Sequence, residues 1–120
     1  MTNRKDLIHA YKEKKPRMGL FQIRNTINGK ILLQASPNLD TVWNRERFQL
    51  KNGTHLNQAL QKEWNEYGEE HFVYEIVSEL KQEGSAIDYR YELKQLQKLF
   101  LEEHQPYGER GYNFQKNNNS

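Results

Sequence analysis

The sequence contains no cysteine. A disulfide framework is therefore excluded, and so is a Cys-ligated zinc site. No apolar run approaches the roughly 20 residues that a membrane-spanning helix needs. The N-terminal stretch MTNRKDLIHAYKEKKP carries charges where a secretory signal carries an apolar segment. No membrane partner and a cytoplasmic location are the expectation. The four histidines, His9, His55, His71 and His104, show no i, i+4 pair of the kind that holds zinc on one helix. No internal repeat is present.

What is present is 120 residues, the size of one domain with one core. The net charge is only +2, but it is unevenly placed. Residues 1–55 hold 11 Lys/Arg against 4 Asp/Glu, and residues 56–120 hold 7 against 12. A basic N-terminal half is an electrostatic footprint for phosphates. The competing reading is a solvated surface whose signs segregate along the chain without segregating in space.

Residues 3–14 read as a short helix, with Leu7, Ile8 and Tyr11 at helical spacing and Pro16 as its stop. Residues 19–36, GLFQIRNTINGKILLQAS, read as two strands joined at Asn28–Gly29, a pair that tolerates the positive φ of a tight hairpin turn. Phe21 and Ile23 alternate with Leu20, Gln22 and Arg24, and Ile31, Leu33 and Ala35 alternate with Leu32 and Gln34. Both faces are partly apolar, which predicts helices on both sides of the sheet. Asn38 is the expected N-cap of a helix over 39–51, and Thr54 that of a helix over 55–67. Leu56, Ala59, Leu60, Trp64 and Tyr67 would form the apolar stripe of the second. His71–Glu79 is β-branched and aromatic enough for a third strand. Residues 86–104 form the longest expected helix, with Leu93, Leu96 and Leu99/Phe100 along one side and Gln97 at the edge.

The expected fold class is thus α+β, in the order α-β-β-α-α-β-α, with a three-stranded, mostly antiparallel sheet flanked by helices. Residues 1–17 form an N-terminal helical extension, 18–113 the domain, and 114–120 a polar, disordered tail. Trp43, Trp64, Tyr67 and Phe72 sit at core periodicity, and packing is preferred for them over stacking on bases.

Several strings resemble the GIY-YIG nuclease superfamily. GLFQIRN at 19–25 stands where that family has its GIY motif, with Gly19 and Asn25 retained. NGKILLQAS at 28–36 stands where it has NGK-x-YIG-x-S, keeping Asn28, Gly29, Lys30 and Ser36. Residues 51–77 resemble the stretch between its arginine helix and third strand, including His55, Leu60–Gln61, Trp64, Tyr67–Gly68 and Phe72. Gly111–Tyr112–Asn113 matches the family's GYN. The resemblance covers residues 18–113 and implies a GIY-YIG-like fold.

It also implies a chemistry. Phosphodiester hydrolysis needs an activated water, charge on the non-bridging oxygens and help for the leaving oxygen. The family is understood to use hairpin tyrosines, a helix arginine, a glutamate holding one divalent metal, and a final asparagine. The residues that match these positions are Phe21, Leu32, Val42, Gln97 and Asn113. Phe21 lacks the hydroxyl, Val42 lacks the charge, and the Gln97 amide supplies no anionic ligand. Gln34 replaces the YIG glycine. The resemblance therefore implies a degenerate member with no catalytic residue assigned.

Three functions compete. The first is a catalytically inactive GIY-YIG-like domain that binds nucleic acid, DNA more than RNA, through Arg24, Lys30, Arg45, Arg47, Lys51 and His55, with no cofactor expected. The second is an active endonuclease whose site has moved to Arg45, three residues after Val42, with Glu46 as a carboxylate; only this reading calls for Mg or Mn. The third is a non-catalytic protein-interaction or regulatory domain, which predicts an exposed apolar patch at Phe21, Leu32 and Val42.

Overall fold

The computed structural model describes residues 16–83 and 88–115. The expected helix over 3–14 and the last five residues of the polar tail lie outside the described residues. Three strands and three α-helices follow in the order β1 (Gly19–Asn25), β2 (Ile31–Ser36), α1 (Val42–Lys51), α2 (Gln58–Tyr67), β3 (Phe72–Glu79) and α3 (Arg90–His104). A single turn of 3-10 helix, Glu69–His71, leads into β3. The sheet order is β2-β1-β3, antiparallel throughout. The α+β class and the three-stranded sheet stand as expected.

The alternation of the hairpin sorts its side chains as read. Phe21, Ile23 and Leu32 share one face with Leu39, Val42, Leu50, Leu60, Trp64, Phe72 and Tyr112 in one buried cluster. Leu20 and Leu33, also buried, point to the opposite face. There α3 approaches β1 and β2 and buries Leu93. Around the larger core the aromatics pack on one another. Trp43 stacks on Tyr74 with ring centres 5.6 Å apart, and Trp64 meets Phe72 at 5.3 Å. The core assignment of the aromatics holds, with Trp43 and Tyr67 half-buried at its margin.

Local details differ from the expectations. Among the described non-glycine residues only Gln105 has positive φ, so Asn28 does not adopt it. The turn is a four-residue loop instead: the Gly29 N–H donates to the Asn25 carbonyl at 2.8 Å and Asn25 N–H to the Lys30 carbonyl at 2.9 Å. Only Gly29 has φ of 78°. Asn28 helps differently, its Oδ1 accepting from the Lys30 N–H at 3.0 Å.

The N-cap of α1 is Thr41, not Asn38. The Asn38 side chain accepts from the Asp40 N–H and forms an Asx turn just before the helix. The N-cap of α2 is Asn57, not Thr54, and its side chain accepts from the Leu60 N–H at 2.9 Å. The Thr54 hydroxyl donates back to the Gln49 carbonyl. With the cap three residues later, Leu56 lies outside the helix and is exposed, and Ala59 is exposed at its first turn. Leu99 is exposed as well, because α3 turns only the Leu93 side into the sheet.

The hairpin turn is tied to α2 and to the C-terminal segment through one carboxylate. Glu63 accepts from Asn28 Nδ2, Lys30 Nζ at 2.9 Å, Tyr112 OH at 3.0 Å and Asn25 Nδ2 at 3.2 Å. Burial raises the Glu63 pKa, but the hydrogen bonds from Lys30, Asn28 and Tyr112 outweigh it and hold the carboxyl below its ordinary value of 4.5. Gly111 lets the C-terminal segment come close enough. A Cβ there would stand 2.5 Å from the carbonyl oxygens of both Ile31 and Pro106.

A carboxyl with a depressed folded-state pKa stabilises the fold above its unfolded pKa and loses that contribution as pH falls through the folded value. The urea midpoint is expected to fall between about pH 5 and about pH 3. Glu63→Gln should lower the midpoint at neutral pH and shrink that acid-side fall. Parallel acid profiles for the two proteins would remove Glu63 as the source.

Candidate functional site

A cavity of about 450 Å³ opens between β2, α1, the α1–α2 loop and the C-terminal segment. β2 contributes Leu32 and Gln34, α1 contributes Arg45, Glu46 and Gln49, the loop contributes His55, Leu56 and Asn57, and the C-terminus contributes Asn113 and Phe114. These residues are far apart in sequence. They meet because His55 bonds Glu46 and ties the α1–α2 loop to α1, and because residues 111–113 run beside β2, where Ile31 bridges Gly111.

At the cavity wall is a buried pair. Glu46 and His55 are 5% and 8% exposed, and Glu46 Oε2 lies 2.5 Å from His55 Nε2. The tautomer follows from the other ring nitrogen. His55 Nδ1 accepts from the Asn57 backbone N–H at 3.0 Å. A backbone N–H can only donate, so Nδ1 carries the lone pair and the proton of the neutral ring sits on Nε2. His55 therefore donates to Glu46, and neither ring nitrogen is left to take a proton from a substrate.

The pair is anchored in both directions. Asn57 Nδ2 donates to the Tyr112 carbonyl at 2.7 Å. The His55 N–H donates to Gln61 Oε1, and Gln61 Nε2 donates to the Leu50 carbonyl. Among the described residues no buried side-chain polar atom lacks a partner. Glu46 Oε1 is the carboxylate oxygen left toward Arg45, whose Nη2 is 3.8 Å away.

The residues matching the nuclease positions do not come together as a reactive group. Phe21, Leu32 and Val42 are at most 5% exposed and belong to the core cluster. The apolar patch expected of a protein-interaction surface at these three residues is therefore internal. Leu32 reaches the cavity, while Phe21 and Val42 do not line it. Gln97 is half-buried on α3 and also lies outside the lining. Asn113 lines the cavity with its amide already engaged: Oδ1 accepts from the Leu33 N–H and Nδ2 donates to the Leu33 carbonyl, both at 2.8 Å. It closes the outer edge of β2 in the manner of a neighbouring strand.

At the position where the resemblance implies a metal-holding glutamate, the chain carries an amide that supplies no anionic ligand. That amide is Gln97, which lies on α3 outside the cavity lining.

The cations named from sequence each find a carboxylate. Arg24 Nε lies 2.8 Å from Glu75 and Lys30 2.9 Å from Glu63. Arg47 and Lys51 share Glu69, each at 3.6 Å. Hydrogen bonding from Arg24, then from Gln22, holds the Glu75 carboxyl below its usual range. Arg45 has the most exposed side chain of this set, 69%, and stands at the cavity. The segregation of charge along the chain is thus largely undone in space, since Glu63, Glu69 and Glu75 all come from the acidic half. His55 is enclosed rather than presented.

Sequence reasoning had Arg45 and Glu46 on one helix but did not join Glu46 to His55. It also missed Gln49, Asn57 and Phe114 as cavity residues. The N-cap role of Asn57 was the available signal, because a cap there instead of at Thr54 swings the preceding loop over α1.

No family model matches the chain. Intron-associated endonuclease 1 of Enterobacteria phage T4 is 30% identical to it over 69 residues, 58% of this chain. The matched stretch spans only 28% of that protein's length. Among solved structures, the catalytic domain of the homing endonuclease I-TevI superposes with a TM-score of 0.69 at 24% identity, over 82% of this chain and 99% of that one. A mutant of the same domain gives 0.66 at 24% identity, over 81% and 92%. The fold is therefore that of the GIY-YIG catalytic domain, as the motif strings implied.

The Glu46–His55 bond should show as energetic coupling. In a double-mutant cycle of Glu46→Gln and His55→Ala, followed by urea unfolding, the interaction energy is expected to be about 1–3 kcal/mol. Additive effects would mean that the two groups do not depend on one another.

Proposed function

We propose that this GIY-YIG-fold domain binds nucleic acid, DNA in preference to RNA, without hydrolysing it. The observation that carries the reading is the burial of Phe21, Leu32 and Val42 in apolar packing beside a cavity that stays open and polar. Each group that would activate water or neutralise a phosphate is absent from its place, yet the cleft has not collapsed. The similar proteins are endonucleases, which supports nucleic acid as the partner.

Arg45 is the leading phosphate contact, with Arg47 and Lys51 at the same helix. The Arg47 and Lys51 partner, Glu69, is 3.6 Å from each and half exposed, while Arg45 is exposed and lies 3.8 Å from the buried Glu46. The exposed pairs with Glu69 are worth about 1 kcal/mol or less, so a phosphate can compete for Arg47 and Lys51, and at 3.8 Å Arg45 makes no hydrogen bond to Glu46. Arg24 and Lys30 are held more closely and contribute less. His55 acts indirectly, by fixing Glu46. The reading needs no metal, and it fits a cytoplasmic location. No described helix is long and apolar enough to cross a membrane.

Relocated hydrolysis at Arg45 and Glu46 is the second reading, favoured by their shared place at the cavity. One titration separates the two. Labelled DNA and RNA are mixed with protein with and without Mn²⁺ at two salt concentrations. Binding without cleavage is expected, and a four-fold rise in salt should weaken single-strand binding about twenty-fold if three phosphates are engaged. No binding at low ionic strength would sink the proposal. Mn²⁺-dependent nicking abolished by Arg45→Ala would establish the second reading.

A further inference from the structure

Phosphate binding uses the cations around the cavity but leaves the cavity itself without a task. We propose that it is a nucleobase pocket, receiving one unstacked base that bears an exocyclic amine on its pairing edge, adenine, cytosine or guanine, in preference to thymine. The inference rests on the nucleic-acid reading above and assigns the part of the ligand that the cavity takes.

Size and walls come first. A volume of about 450 Å³ lies within the range of small-ligand sites. Phe114 and Leu56 line the cavity while remaining 76% and 91% exposed. An open aromatic ring beside a cavity is a stacking platform for any base. Leu32 supplies an apolar surface within it.

The polar groups then select. Glu46 Oε2 is committed to His55, so Oε1 is the acceptor that remains, and Arg45 Nη2 is a donor 3.8 Å from it. Adenine and cytosine each present an amine donor next to a ring-nitrogen acceptor. Guanine presents two donors next to a carbonyl. All three match a carboxylate beside a guanidinium. Thymine presents one N–H between two carbonyl oxygens: the guanidinium can pair one of them, but the other is left against the carboxylate, and no amine is there to donate a second hydrogen bond to it. Gln34 and Gln49 add amides that can donate or accept.

Preorganisation is the last point. The neutral, Nε2-protonated His55 holds Glu46 in one orientation, and Asn57 holds His55. Little ordering remains to be done when a base enters.

The test is fluorescence anisotropy with short labelled oligo(dA), oligo(dC) and oligo(dT) at low salt, using the full chain. Oligo(dA) and oligo(dC) are expected to bind about ten-fold tighter than oligo(dT). Glu46→Gln, whose amide donates as well as accepts, should bring the three affinities together. Because Glu46 is buried, thermal melting checks that this variant folds, and Phe114→Ala provides an exposed second variant. It should weaken all three oligomers about ten-fold through lost stacking.

Equal affinities of the wild type for the three oligomers would overturn the base pocket and leave nucleic-acid binding intact. Absence of binding to any oligomer, with none to free dAMP or dCMP, would remove both. Binding of free dCMP but not of oligo(dC) would keep the pocket and remove the strand.

Discussion

Tyr112 is held at both ends, and the arrangement of the domain depends on it. Its hydroxyl donates to Glu63 and accepts from Asn25, while its carbonyl accepts from Asn57 and its N–H donates to Ile31. One residue near the C-terminus thereby joins the hairpin turn, α2, the α1–α2 loop and the edge of β2. Burial raises the phenol pKa, so the hydroxyl keeps its proton and the hydrogen bond it donates. The physical constraint is that buried polar atoms must be partnered, since leaving one unpaired costs about 1–3 kcal/mol. Satisfying Glu63, Asn25 and Asn57 together leaves the C-terminal segment only one place to run. That place is beside β2, where Asn113 and Phe114 become walls of the cavity.

The same constraint separates two kinds of polar residue at the site. Glu46, His55, Asn57 and Gln61 are buried and linked in a chain, and they serve as the frame of the cavity. Arg45, Gln34 and Gln49 also line it, with their functional ends less committed. The fold is held together through this frame and through the core. Phe21 and Val42 lie in contiguous apolar packing, where a tyrosine hydroxyl or a guanidinium would need a partner that the cluster does not offer.

Much of this was legible in the chain. The alternation of residues 19–36, the aromatic third strand and the GYN ending lead to the sheet, and the unreactive residues at 21, 32, 42 and 97 can be read off directly. The helix starts were displaced because an Asn or Thr can cap, make an Asx turn or bond backward, and the choice depends on neighbours not adjacent in sequence. Asn38, Thr54 and Asn57 each took a different one of these options. The basic half was legible as a count of charges. Its pairing with Glu63, Glu69 and Glu75 was not, since those partners arrive from other elements.

Side-chain periodicity and residue chemistry are local properties, so the amino-acid order alone determined the strand faces, most of the core and which residue types stand at positions 21, 32, 42 and 97. Which polar atoms meet is a property of distance through space. Glu46 finds His55 across a loop, and Leu32 shares a wall with Phe114 only because a distant asparagine clasps the backbone of β2. The tertiary structure alone decided that the cleft stays open, because a cavity is bounded by side chains whose positions are set by packing and not by their order in the chain.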